Sequence, residues 1–297
     1  MQALRLHEKE AEMNRSLLFV PGDSPRKFEK AVGGDADGLI LDLEDSVAPD
    51  TKPAARGLVR EMLAQGAPGK QLWVRMNALD TGLSVDDLAA VVPGKPFGIL
   101  LPKCRNGNDL RQVSHYLDAL EAASGITQGS VKILAIATEL GSAMFGLGTY
   151  ANVTPRLWGI TWGAEDLSAD LGVMTKMVDG VYTDAFRIAR AMCLYAAADA
   201  GVRALDTVCV DIDNIAVAAR ESAEARRDGF TGKLSIHPKH VPVINAAFTP
   251  GADEIAWAEK IVDAFAANPN TGAFKLEGKM IDRPHLRAAR RLLGIAQ

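Results

Sequence analysis

Short apolar runs recur along the chain, and each is followed by a stretch with helical spacing. They fall at Leu17–Val20, Gly38–Leu43, Leu72–Met76, Gly98–Leu101, Val131–Ala137, Leu157–Trp162, near Ala204–Val208, and at Lys233–Ile236. The runs lack the in-out alternation of half-exposed strands, as is expected of parallel strands covered on both faces. Between them Ser24 is placed to start a helix with Pro25 in its first turn and Gly33-Gly34 at its end. Residues 182–200 and 255–267 predict two further helices. Eight strand–helix alternations predict an α/β fold, a (β/α)8 TIM barrel. An open doubly wound sheet is the alternative, but no GxGxxG follows any of the runs.

Composition changes this picture little. The chain has 297 residues, 48% hydrophobic and 24% charged, enough for one large domain or two ordinary ones. A net charge of −4 argues against nucleic acid or an anionic membrane surface as partner. Cys104, Cys193 and Cys209 form no CxxC and are odd in number, so neither a disulfide framework nor a zinc knot is predicted. With a polar stretch over residues 1–15 and no long apolar segment, a cytoplasmic protein is expected, with residues 1–14 a disordered leader.

The residues at and just beyond the ends of the runs carry the chemistry: Pro21-Gly22-Asp23, Glu44-Asp45, Arg75 with Asn77, Lys103, Glu139, Glu165-Asp166, Asp206 and His237. In a parallel barrel the C-terminal strand ends share one face, so these groups are expected to converge. Clustered carboxylates without clustered histidines favour a hard cation, and Mg2+ takes one or two protein carboxylates. Glu139 and Asp166, at the ends of adjacent strands, form the best ligand pair, and Glu139 is also placed to touch substrate. Glu165 is expected to face away, into a salt bridge or cap. Arg75 is placed to grip a carboxylate or stabilise an enolate, with Glu44 and Asp45 orienting the ion through its water. Arg26, Lys27 and Lys30 offer a phosphate cradle or, equally, a solvated helix face. Lys103 either forms a Schiff base or stays protonated among the acids, and the acids favour the second. His237, before Pro238, predicts a structural turn, and Cys104 has no base to activate it.

Several strings resemble the citrate lyase β-subunit-like branch of the HpcH/HpaI aldolases: RSLLFVPG at 15–22, LDLEDSV at 41–47, VRMN at 74–77, LPK at 101–103 and GAEDL at 163–167. The likeness extends from Arg15 to about Leu293. It implies a Mg2+-dependent carbon–carbon lyase that cleaves a 3-hydroxyacyl thioester, such as malyl-, citramalyl- or citryl-CoA, into an acyl-CoA and a 2-oxo acid. It also implies Glu139 and Asp166 as metal ligands and Arg75 as the substrate-gripping arginine. The catalytic domain would cover residues 15–270 and a lid residues 271–297. In that lid Asp282, of the KMID string at 279–282, would act as acid or base in a neighbouring subunit of a homotrimer or hexamer. Alternatives are a citrate lyase β subunit working on an acyl carrier, a malyl-CoA thioesterase, a Schiff-base aldolase or a non-enzymatic scaffold. His237 and Leu140 depart from residues common in relatives.

Overall fold

The computed structural model describes residues 14–295. All but the last residue of the expected leader therefore lies outside the described residues. Eight parallel strands close into a barrel: β1 (Ser16–Pro21), β2 (Gly38–Asp42), β3 (Gln71–Arg75), β4 (Gly98–Leu101), β5 (Lys132–Ile136), β6 (Leu157–Thr161), β9 (Arg203–Asp206) and β10 (Gly232–Ser235). Neighbours pair in chain order, and β1 closes on β10 through Ser16–Lys233 and Leu17–Leu234. This is the (β/α)8 barrel that the repeating pattern predicts.

Two apolar layers follow from strand alternation. Leu17, Ile40, Trp73, Leu100, Leu134, Leu205 and Leu234 fill the barrel interior, while residues such as Leu39, Leu41, Val74, Ile99 and Ile133 pack outward against the helices. Each fully buried side chain of this kind contributes roughly 1.5–3 kcal/mol. The interior is tight at its base, where Trp73 meets Trp158 with ring centroids 4.9 Å apart. Gly98 is required there, because a Cβ would lie 2.3 Å from the Trp73 ring.

The helices facing the outer layer are α1 (Pro25–Val32), α2 (Lys52–Gln65), α3 (Ser84–Val91), α4 (Gly107–Ala123), α5 (Ala164–Asp170), α6 (Asp184–Ala200), α7 (Ile215–Asp228) and α8 (Val241–Phe248). Ser24 occupies the N-cap position of α1 with Pro25 next, although its side chain makes no capping bond. The helix expected from residue 182 starts later. Asp179 and Gly180 both adopt positive φ and turn the chain into a hairpin of β7 (Met177–Val178) and β8 (Val181–Tyr182) before α6. Tyr182 serves that hairpin and packs edge-on against Trp162, ring centroids 5.1 Å apart.

Below the strand starts, Arg156 is buried against Glu121 and Asp118. Its guanidinium donates to Glu121 Oε1 at 2.9 Å and Oε2 at 2.5 Å, and to Asp118 Oδ1 at 2.5 Å. The Glu121 carboxylate also accepts the backbone N–H groups of Gly129 and Val131, both at 2.8 Å. Burial alone would raise its pKa, but Arg156 and these amides outweigh it and draw it down to about 2.

Residues from Thr249 onward form a second compact unit. It holds α9 (Ala252–Ala267), a hairpin of β11 (Ala273–Leu276) and β12 (Lys279–Asp282), and α10 (Arg283–Leu292). Glu277 and Gly278 both take positive φ at the hairpin tip, as a two-residue turn with the right twist demands. Ala258, Ile261, Phe265, Ile281, Ala289 and Leu293 give the unit its own apolar cluster. Among the described residues no helix is long and apolar enough to cross a membrane.

Candidate active site

At the C-terminal ends of β2 to β6 the structure brings together side chains from five segments. Asp42 ends β2 opposite Arg75, which ends β3. Arg75 grips the Asp42 carboxylate with two bonds, Nε to Oδ1 at 2.7 Å and Nη2 to Oδ2 at 2.8 Å. Its Nη1 turns to Glu44 Oε2 at 2.9 Å and to Asp45 Oδ2 at 3.5 Å. The guanidinium lies 4.9 Å over the Phe19 ring. Burial opposes ionisation of Asp42, yet the Arg75 bonds and charge win and hold its carboxyl below the usual range.

Glu44 stays in the mouth because its loop is pinned from beneath. Asp42 accepts the Glu44 N–H at 2.9 Å, and buried Lys52 donates to the carbonyls of Leu43 and Glu44 at 2.7 and 2.6 Å. Asp45, by contrast, is 59% exposed on its side chain.

Lys103 follows β4. Its Nζ bridges Glu44 Oε1 at 2.7 Å and Asp166 Oδ1 at 3.1 Å. Its backbone adopts φ 50°, in the left-handed region, and its N–H donates to Glu139 Oε2 at 2.5 Å. Burial would favour a neutral amine, but Glu44, Glu139 and Asp166 together raise its pKa above the ordinary lysine value. The ammonium form, expected from the sequence, is therefore the resident one, and it is a poor nucleophile.

Glu139 is 3% exposed. Burial first, then the charges of Asp166 and Glu44, push its pKa up to about 8. Its carboxyl lies against the backbone at Gly163, where a Cβ would sit 2.6 Å from Glu139 Cγ. Only glycine leaves that space. Asp166 stands in the first turn of α5 with Glu165 beside it. Glu165 turns outward and pairs with Lys176, as the alternation at this turn predicts.

Other expected residues lie elsewhere. Asp206 does not enter the mouth, because Leu205 takes the inward position and Asp206 faces the helices. There it meets Trp162, Lys233 and Arg190. Arg26, Lys27 and Lys30 are exposed along α1. The His237 ring accepts the Lys239 N–H at 3.2 Å, a structural turn as expected. Burial pushes the Cys104 thiol up to about 12, which leaves it inert. In the second unit, Asp282 takes the N-cap position of α10, with its carboxylate 2.5 Å from His285 Nδ1.

The donor set suits a hard divalent ion. Among the described residues, Asp42, Glu44, Asp45, Glu139 and Asp166 face only Arg75 and Lys103 as cations. Burial and two acidic neighbours raise the Glu139 pKa, so added positive charge nearby would favour its ionised form. Among the described residues no three His, Cys, Asp or Glu side chains form a complete cage. Mg2+ needs none, since it keeps water and substrate oxygens in its octahedron.

The family profile described as HpcH/HpaI aldolase/citrate lyase matches residues 15–238, which contain every residue of this cluster. The chain belongs to that family. It is 34% identical over 300 residues to the citrate lyase subunit beta of Escherichia coli (strain K12), covering 100% of this chain and 98% of the relative. It is 32% identical over 288 residues to a (3S)-malyl-CoA thioesterase of Cereibacter sphaeroides, covering 95% and 94%. The crystal structure of CitE from Mycobacterium tuberculosis in complex with magnesium, acetoacetate and coenzyme A superimposes with a TM-score of 0.76. That match has 32% identity and covers 96% of this chain and 98% of CitE. Family membership makes the barrel mouth the place where carbon–carbon lyase chemistry is to be sought.

Asp42 and Lys52 escaped the sequence reading. Asp42 interrupts an apolar run, and a polar residue inside a buried strand is itself a signal that it has a charged neighbour.

Proposed function

We propose that this enzyme is a Mg2+-dependent carbon–carbon lyase that cleaves a 3-hydroxyacyl-CoA of the malyl, citramalyl or citryl type into an acyl-CoA and a 2-oxo acid. The observation that carries the reading is the surplus of carboxylates around one protonated lysine and one clamped arginine at the barrel mouth. Glu139 and Asp166 would hold the ion. When bound, Mg2+ supplies Lewis-acid polarisation worth on the order of several kcal/mol. The relative solved with magnesium, acetoacetate and coenzyme A supports this choice of ion and ligand class.

In the cleavage direction the substrate hydroxyl loses its proton, and the O–H electron pair becomes the carbonyl of the departing 2-oxo acid. The electrons of the broken carbon–carbon bond become the enolate of the acyl thioester, which then takes a proton on carbon. Arg75 is the donor for the enolate oxygen: Asp42 holds Nε and one hydrogen of Nη2, and Nη1 would turn from Glu44 and Asp45 to reach the substrate. Asp42 therefore fixes the direction of Arg75, and Glu44 and Asp45 limit its swing. Lys103 neutralises Glu44 and Asp166 without attacking a carbonyl. Asp282 serves as the acid or base from the lid of a neighbouring copy, which requires an oligomer such as a homotrimer or hexamer. Residues 271–297 act as that lid and residues 15–270 as the catalytic domain. Arg26 and Lys30 meet the phosphates of the CoA, and the enzyme works in the cytoplasm.

Incubation with Mg2+, acetyl- or propionyl-CoA, and glyoxylate or pyruvate tests the reading. Mass spectrometry should find the condensed 3-hydroxyacyl-CoA, and its formation should stop in excess chelator. Full activity in chelator, or borohydride trapping at Lys103, would replace the metal mechanism with a Schiff base. The likeness to a malyl-CoA thioesterase favours one second outcome. Free malate from malyl-CoA, with no glyoxylate, would make the chain a hydrolase. Activity confined to carrier-bound substrate would instead make it a citrate lyase β subunit. Mixing Asp282→Ala with Arg75→Ala chains tests the shared site, since activity should return only in mixed oligomers.

A further inference from the structure

Among the described residues outside the barrel mouth, a network of buried charge surrounds Asp206. This residue lies between the barrel and its helices and is 3% exposed. Its Oδ1 accepts Trp162 Nε1–H at 2.7 Å and Arg190 Nε–H at 3.2 Å, and its Oδ2 accepts Lys233 Nζ at 2.9 Å. Arg190 is held in turn by Asp228 at 2.6 Å, and Lys233 lies 3.4 Å from Glu221. Removing these charges from water costs several kcal/mol per ion before pairing offsets it, and apolar packing would fill the gap as well. The network therefore needs a reason beyond stability.

Trp162 supplies one. It is the single residue between Thr161, the end of β6, and Gly163, which precedes α5. Gly163 is the backbone wall against which the Glu139 carboxyl rests, and its N–H donates to Thr138 Oγ1 at 3.2 Å. Asp166 follows in the first turn of α5. Fixing the indole thus fixes the turn that positions both acids of the proposed ion site.

We propose that Asp206 is a positioning residue for the divalent-ion site, acting through the indole of Trp162. The inference rests on the assignment of Glu139 and Asp166 as ligands. Groups behind metal ligands commonly change affinity by about 10- to 100-fold when removed.

Calorimetric titration with MgCl2, without substrate, tests it on wild-type protein, Trp162→Phe and Asp206→Asn. Trp162→Phe deletes the N–H and keeps most of the ring, so it remains informative should Asp206→Asn fail to fold. The expected result is about tenfold weaker Mg2+ binding in Trp162→Phe. At saturating Mg2+ its kcat should fall, while KM for the acyl thioester stays within about twofold. Unchanged Mg2+ affinity and kcat in folded Trp162→Phe, with only a lower Tm, would overturn the role of Asp206 and leave the ligand assignment standing. Wild-type protein that binds no Mg2+ would overturn both.

Discussion

Two buried charge clusters sit at opposite ends of the same barrel. Below the strands, Arg156 meets Glu121 and Asp118, and every Glu121 oxygen has donors, so its pKa falls to about 2. Above the strands, Glu139 has one backbone donor and two acidic neighbours, and its pKa climbs to about 8. The chemistry of the groups is alike, but one set is satisfied and the other is short of positive charge. A cluster with every oxygen matched is costly to break, whereas one short of positive charge is the place to look for a bound cation.

The contrast would be broken most directly by Glu139→Gln. Loss of this proposed ligand should lower kcat at least about a thousandfold, on the order of 4 kcal/mol, with Tm unchanged or higher. Calorimetry alongside steady-state kinetics checks both halves, and a large fall in Tm would make the upper cluster structural too. Arg156→Met should do the reverse. It strands a buried carboxylate and should destabilise by about 3 kcal/mol in urea titrations, while kcat per folded molecule is kept.

A pH series sharpens the lower cluster. The folded pKa of Glu121 lies below its ordinary value of 4.5. Its contribution is thus fully present above about pH 4.5 and fades as pH falls towards about 2. The urea midpoint should drop by the equivalent of about 2 kcal/mol between pH 6 and pH 2.5, with a flatter profile in Arg156→Met. The smallest effect concerns the ion. Free Mg2+ at ten times its Kd should stabilise wild-type protein by about 1.4 kcal/mol and Glu139→Gln by nothing measurable, read as thermal shift.

The barrel was legible because each buried parallel strand leaves an unbroken apolar run with polar groups at one end. The position of Glu139, Asp166, Arg75 and Lys103 at one mouth follows from that topology alone. What stayed hidden depends on which way a strand residue points. Asp206 stands at a strand end like the others, yet its neighbour Leu205 takes the interior, a parity that no run of apolar letters encodes. The Met177–Tyr182 hairpin was hidden by Asp179-Gly180, a tight turn flanked by residues that also suit a helix start. Arg156 and Glu121 are 35 positions apart, and only their meeting in space gives either one meaning.

Lys103 carries one last consequence. Its left-handed backbone, φ 50°, costs roughly 1 kcal/mol that glycine would not incur. Glycine here would relieve that strain but remove the ammonium that holds Glu44 and Asp166, leaving their charge unmatched. Backbone ease and charge balance therefore make opposite demands on this one position, and the lysine meets the second.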